Sequence, residues 1–396
     1  MATTNVYGNG VNSTAGENTI VHYYDRAGVK AANRTNVYGQ WADRKSMPTK
    51  MGKTFKISRF EHMYDRSTGD GDFAAKGFMT ARTADEVSAA LTNATLAEGA
   101  GAVNKRSLQK VTYETQLARY GEMIDYTDEV DLFSEDYIQV KYREELGELA
   151  NSRMEDLIQL DMLGTTTVMY SGTATSMDTV EDRVSYDLIT KAVRKLVRNR
   201  AKKNTSVVTG STKIGTTPVA KAFYAVIGAD VKADLERTIR GTVAANGTTE
   251  FVYIPAHKYA DAASLAEGEV GAMHEVRFIE SESAVVYAGM GASTSDATIA
   301  STTFATDADA IAVRGVGATA GTYADVYPIL FPTEGAFATI GLKGKEKIKF
   351  NSAAPSQIDA ANNPYGTTGM FSYNFFYAGI ILKPEALLKV LVAASV

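Results

Sequence analysis

Four histidines, His22, His62, His257 and His274, are the imidazoles from which this chain could build a metal centre or a general base. Zinc needs three or four converging ligands, which in sequence leaves close pairings such as HxxxH. Here the four are scattered, with no HxH, no HxxxH and no paired carboxylates beside them. Structural or surface roles account for each, and no metal is expected. The chain contains no cysteine, which removes thiol nucleophiles, Cys-ligated zinc, iron–sulfur clusters and disulfides together. No GxSxG, GxxxxGK[ST] or GxGxxG stands in a strand–helix setting. The run Gly289-Met290-Gly291 follows a strand-like stretch but lacks a third glycine and a following helix, so it reads as a turn. No catalytic residue and no cofactor is expected.

Charge clusters are the remaining places for chemistry. Glu334, Lys343, Lys345 and Lys347 could form an acid/base group, but lysines alternating around glycines are more simply a solvated hairpin. Asp125, Asp128, Glu129 and Asp131 could hold a cation; compensation of a helix dipole explains them with fewer assumptions. Lys191, Arg194, Lys195, Arg198, Arg200, Lys202 and Lys203 form the one basic segment able to meet nucleic acid. It lacks the interleaved aromatics on which bases stack. A solvated helix face or a salt-bridging surface between subunits is the better reading.

The net charge of −5 agrees with that restraint. A protein that grips nucleic acid carries a basic excess to displace phosphate counterions. A wall that encloses DNA gains from the opposite balance, although an ordinary acidic enzyme shares it. Apolar types make up 45% of the 396 residues and charged types 22%, enough for a sizeable core in two or three domains. The opening MATTNVYGNG has no basic segment followed by an apolar one, so no secretory leader is expected. No apolar run approaches the roughly 18 residues of a membrane span. The run FFYAGIILKPEALLKVLV breaks at Lys383-Pro384 into a strand, a turn and a second strand.

The elements follow from periodicity. Residues 1 to about 50 are poor in aliphatic runs and read as an arm lying on another surface, with a loose terminus as the equal alternative from composition. Thr54 to Phe60 alternates Phe55 and Ile57 with polar neighbours, and Val111-Tyr113-Thr115-Leu117 alternates again about fifty residues later. If the connection is a two-stranded arm, about twenty residues a side reach roughly 65 Å. Such an arm buries neither face by itself and needs a partner surface. Ser134 is the expected N-cap of a helix of about thirty residues, roughly 45 Å long, ending at Gly164. Tyr142, Leu146, Leu149, Ala150, Met154, Leu157 and Leu160 recur along it at helical spacing. A second helix is expected from Tyr186 to about Asn199, with Leu188, Ile189, Ala192, Val193, Leu196 and Val197 on its apolar side. Strands are expected at 206–209, 222–227, 251–254, 275–280, 326–331, 337–342, 347–350 and 371–382, and a helix at 231–239. Residues 289–321, rich in Ala, Ser, Thr and Gly, read as a surface insertion or loosely packed strands, and 355–369 as a long loop.

Arm, long hairpin, long helix, mixed sheet and returning strand together make an α+β chain that resembles the Hong Kong 97-type fold of tailed-phage and herpesvirus shells. Met51-Gly52-Lys53-Thr54-Phe55 with Arg59-Phe60 resembles the first strand of that fold's extended loop. Leu96-Ala97-Glu98-Gly99 resembles the element before its second strand. Arg119-Tyr120-Gly121-Glu122 and Asp125-Tyr126-Thr127-Asp128 match the strand that leads into the spine helix. Val276 to Glu282 and Asn363-Pro364-Tyr365-Gly366 resemble two later elements. Their order and spacing are similar to the major capsid proteins of N-four-like podoviruses from about residue 50 onward. The chain departs at Gly228-Ala229, where relatives often carry His-Pro, and at Asn374, where they often carry Lys.

The resemblance implies an N-terminal arm at 1–53 and an extended loop at 54–112 that lies across the neighbouring subunit. It implies a peripheral domain at 113–205 and 340–382, and an axial domain at 206–339 and 383–396. Phe55, Ile57, Arg59, Phe78, Leu96, Glu98, Val111 and Tyr113 would then be assembly residues of the loop. Tyr142, Leu146, Leu149, Met154 and Leu157 would line the spine helix, and the basic segment would face another subunit or the interior. Copies of the chain would form hexamers and pentamers of an icosahedral shell around double-stranded DNA, touching it without sequence preference. Portal, scaffold and decoration proteins would be further partners, with assembly in the host bacterial cytoplasm and no membrane involved. A Lys–Asn cross-link, as one variant of the fold makes, is not expected. An encapsulin-like compartment shell and a tail or receptor-binding component are the rival readings.

Overall fold

Residues Thr368–Ile381 form a fourteen-residue strand in which Gly369, Phe371, Tyr373, Phe375 and Tyr377 are buried in strict alternation. This is the period of a strand with one face against a core. After Tyr377 the phase changes, because Ala378 is buried next and Ile380 follows it. One strand therefore presents aromatic residues to one side along most of its length and small aliphatics to the other side at its end. The computed structural model that shows this describes residues 6–7, 11–12, 37–60, 83–96, 98–99, 110–133, 138–208, 216–238, 252–259, 265–292, 315–316, 323–345, 347–355, 358 and 364–394.

Two sheets make up the body. In the smaller, Ala118–Thr127 pairs antiparallel with the long strand from Thr127↔Thr368 to Ala118↔Tyr377. Lys349–Ala353 and Phe337–Leu342 pair along its other edge, and Asp43–Met47 adds in parallel to residues 338–342. The helix Ile138–Leu163 lies on the aromatic face, where Leu146, Ala150, Ile158, Met162 and Leu163 share a core with Phe371, Tyr373, Phe375 and Tyr377.

Gly121 sits opposite Asn374 where strands 118–127 and 368–381 pair. A Cβ there would lie 2.5 Å from the Tyr373 carbonyl oxygen, a backbone atom that cannot swing away. Gly121→Ala is expected to lose about 2 kcal/mol of stability by forcing the pair apart. A urea melt of the unassembled subunit measures it, and an unchanged midpoint refutes it.

The larger sheet has eight strands among the described residues. Its order is 254–255, 269–273, 276–280, 216–227, 327–331, 388–392 and 167–170, with 204–208 also pairing to 216–227. The pairings 276–280 with 223–227 and 388–391 with 167–170 are parallel, and the rest antiparallel. Tyr327–Phe331 (YPILF) is buried at every residue, the mark of a strand covered on both faces. The helix Tyr186–Arg198, with Ser185 accepting the Leu188 N–H as its cap, covers one face through Leu188, Ile189, Ala192, Val193 and Leu196. The other face meets the first sheet's core, where Trp41 packs on Tyr224 with ring centroids 4.4 Å apart.

Several expectations change. The long helix is described from Ile138, and Ser134, its expected cap, lies outside the described residues. Leu160 and Val197, placed on apolar faces by periodicity, are exposed at 56% and 55%. The buried line on the long helix runs instead through Leu146, Ala150, Ile158 and Met162, with Glu155 and Gln159 beside it. Residues 37–47 are not an arm laid on the surface. Val37, Tyr38, Trp41, Ala42 and Met47 are buried in the cores, and Asp43–Met47 is a sheet strand. Strand 251–254 shrinks to Ile254–Pro255, and helix 231–239 begins earlier, as Ala229–Glu236.

Candidate assembly surfaces

Strands Thr54–Phe60 and Lys110–Gln116 pair antiparallel from Thr54↔Gln116 to Phe60↔Lys110. Every second residue is half-buried, so Phe55, Ile57 and Arg59 share a face with Val111, Tyr113 and Thr115. Phe55, Ile57 and Tyr113 rest on Met47, Ala338, Ile340, Ala378 and Ile380, the small-residue face of the first sheet. Arg59 closes the contact through an ion pair with Glu385, and its guanidinium lies 5.7 Å from the Tyr113 ring centroid. The opposite face is exposed throughout, and there Lys56 and Glu114 pair across the strands at 2.8 Å. An exposed pair of that kind stabilises little. The base of this hairpin is thus anchored to its own chain on one side and bare on the other.

Further out, the expected continuous ladder is not what the described residues show. Seven residues a side are paired, and Ala84–Thr92 is a helix. Thr83 accepts the Glu86 N–H and the Glu86 carboxylate accepts the Thr83 N–H, a complete capping box. None of the helix's residues is buried. Leu91 and Leu96 are 65% and 71% exposed, and Glu98 is exposed beyond them. Phe78 lies outside the described residues. A nine-residue helix is marginal in water without tertiary contacts.

The long helix carries the second feature. Leu146 is buried, while Tyr142, Leu149, Met154 and Leu157 are half-buried against the main core. Sequence periodicity missed Glu155, which is 4% exposed. Its carboxylate accepts the backbone N–H groups of Val37, Tyr38 and Gly39, the last at 3.3 Å. Burial raises its pKa, and the three N–H donors pull the other way. Gln159, one turn on, lies 2.9 Å from the Tyr38 hydroxyl. Asp161 accepts the Tyr377 hydroxyl at 2.8 Å, and burial raises its pKa also. The helix therefore grips both the segment 37–41 and the long strand through polar groups. The available signal was a Glu and a Gln four residues apart, adjoining the apolar line.

The basic segment does not converge on one site. Lys191 pairs with Asp187 at 2.6 Å and Lys203 with Glu275 at 2.8 Å, while the half-buried Lys195 donates to the Val168 carbonyl at 2.9 Å. Burial lowers the pKa of Lys195. Arg194, Arg198, Arg200 and Lys202 are exposed.

A cleft of about 620 Å³ does gather cations. Among the described residues its lining includes Arg119, Lys345, Lys347 and Lys349 with Asn374 and Phe376 and holds no carboxylate; Glu346, between two of these lysines in the sequence, lies outside the described residues. Lys349 stands opposite Asn374, and Arg119 opposite Phe376, with the guanidinium 5.7 Å from that ring. Glu334, grouped with these lysines by sequence, is not part of it.

Among the described residues no group of three or more His, Asp and Glu is placed to hold a metal ion, and no helix is long and apolar enough to cross a membrane. His257 and His274 are exposed, His274 standing edge-on to Tyr186; His22 and His62 lie outside the described residues.

Comparison with known proteins now has a geometry to meet. The chain is 28% identical to the "Major capsid protein" of Pseudomonas phage KPP21 over 405 aligned positions, 96% of this chain and 94% of that one. Its fold is similar to that in the capsid of Ralstonia phage GP4, with a TM-score of 0.60 at 10% identity, covering 96% and 97% of the two chains. It is also similar to the cyanophage P-SCSP1u capsid, with a TM-score of 0.56 at 10% identity over 97% and 96%. The cyanophage Pam1 capsid gives 0.55 at 13% identity over 97% and 98%. No family model matches the chain.

Proposed function

We infer that this chain, a shell-forming major capsid protein of the tailed-phage kind with the Hong Kong 97-type fold, builds its shell chiefly through the arm between residues 54 and 112. The observation that carries this is the contrast within the arm. Its base is seated on its own sheet through Phe55, Ile57, Arg59 and Tyr113, whereas helix 84–92 has no buried residue. A second copy supplies the missing surface. In this reading 113–205 with 340–382 is the peripheral domain and 206–339 with 383–396 the axial domain. Residues 1–53 fall into two parts, since 37–47 belong to the core and only the segment before them is left to act as an arm.

Contacts that repeat head to tail around a closing rotation make rings, here pentamers and hexamers. Each contact can be weak because every subunit engages several at once. Portal, scaffold and decoration proteins are the partners such a shell takes. Packaged DNA meets an acidic protein, with net charge −5, and is touched without sequence preference through surfaces such as Arg194 and Lys202. The protein acts by position, not by catalysis. It functions in the virion after assembly in the host bacterial cytoplasm.

Electron microscopy of the purified, concentrated protein tests the reading. Closed shells or capsomer rings are the expected images. A population confined to monomers and small globular oligomers under all assembly conditions points to the tail-component alternative. Shells that copurify with an enzyme and no DNA when isolated from infected cells point to the compartment alternative.

A further inference from the structure

We propose that the cleft formed by Arg119, Lys345, Lys347 and Lys349 is the receptor for the acidic outer part of the arm of a second copy. This rests on the shell reading above and adds which surface receives the arm and by what chemistry.

The first argument is position. Ala378 and Ile380 point to the face of the smaller sheet on which the arm's base rests. In a strand, residues two apart share a face, so Asn374 and Phe376 lie on that same face, as do their opposites Lys349 and Arg119. The cleft therefore continues the surface that already accepts this arm's own base. The second argument is charge. The four cations lining the cleft are exposed, and none makes an ion pair among the described residues. Four like charges among the described residues around one concavity repel each other, and the arrangement is relieved when a further anionic group enters. The third argument is the occupant. Residues 83–99 of the arm contain Asp85, Glu86 and Glu98 and no Lys or Arg. Asp85 and Glu86 stand in the first turn of helix 84–92, all three acids are exposed, and Leu91 and Leu96 beside them are uncovered. An acidic, half-apolar segment whose helix buries none of its residues and a basic cleft with Phe376 in its wall are complementary. Contact within one subunit would leave the sites idle between copies; contact between copies closes a ring.

Charge exchange tests the pairing. In full-length protein, Lys345→Glu with Lys347→Glu places acid against acid and is expected to raise the concentration needed for assembly by about tenfold or more. Asp85→Lys with Glu98→Lys, which spares the Glu86 cap, is expected to do the same. The four changes together are expected to bring the threshold back to within about threefold of wild type. Urea melts of each unassembled variant show whether the subunit remains folded. For any that does not, neutral versions (Lys345→Gln with Lys347→Gln, Asp85→Asn with Glu98→Gln) replace it, and their deficits are expected to be non-additive. Unchanged thresholds in both paired variants, or deficits that simply add in the fourfold variant, overturn the proposal. So does a cleft whose reversal abolishes binding of a DNA oligonucleotide to the subunit while assembly stays normal. Wild-type protein that forms no shells at all defeats the shell reading itself, a result separate from these.

Discussion

Excision of residues 61–109, with Asn-Gly joining Phe60 to Lys110, is expected to yield a subunit that folds and stays unassembled. The two flanking residues are opposite each other in the register, so a two-residue turn closes the hairpin in the geometry that Asn-Gly favours. Phe55, Ile57 and Tyr113 keep their seat on Ala338, Ile340, Ala378 and Ile380, and Arg59 keeps Glu385. Among the described residues, helix 84–92 buries none of its side chains against either sheet. The urea midpoint should therefore move little, within the roughly 0.5 kcal/mol typical of surface changes. Assembly, followed by sedimentation and electron microscopy, should be lost entirely. Shells of normal size from the excised protein would remove the arm from the assembly mechanism.

The largest loss of stability from a single substitution is expected at Glu155. Glu155→Ala leaves the N–H groups of Val37, Tyr38 and Gly39 inside the core without an acceptor. Each unsatisfied buried donor costs about 1–3 kcal/mol, so a loss of about 3–5 kcal/mol is expected, a large part of a domain's total. Glu155→Gln keeps one oxygen for the Val37 and Tyr38 N–H groups and should lose roughly half as much. The pH dependence has a definite sign. Burial holds the folded carboxyl above its ordinary value of 4.5, so the folded state takes up the proton more readily than the unfolded one. As pH falls through the interval between the raised value and 4.5, wild type should gain stability relative to Glu155→Gln. Urea melts of the two proteins across that interval measure the gain, and a difference that instead widens in the variant's favour contradicts the assignment.

The same residues show what was legible in the sequence. The strands 54–60, 337–342 and 371–381 and the helix 186–198 could be read because alternation and three-to-four spacing report a single buried face. The shell resemblance was legible as an order of short motifs, and the similarity to capsid chains agrees with it. Residues 37–47 could not be read. Their burial depends on Glu155, more than a hundred positions away, and on the gap between two sheets that Trp41 fills against Tyr224. Leu160 and Val197 were misplaced because an apolar residue is weak evidence of burial. The basic cleft was split in the sequence between Arg119 and Lys345–Lys349, and only strand pairing brings them together. Chain periodicity sees one element at a time; partners from distant strands are invisible to it.

The change of phase at Tyr377–Ala378 has a mechanical meaning. The arm's seat and the long helix are packed on opposite sides of one polypeptide strand, without a linker between them. A pull on the arm is thus delivered to the helix as shear across a single hydrogen-bonded ply. A plate laminated in this way transmits load laterally through each subunit instead of concentrating it at a joint.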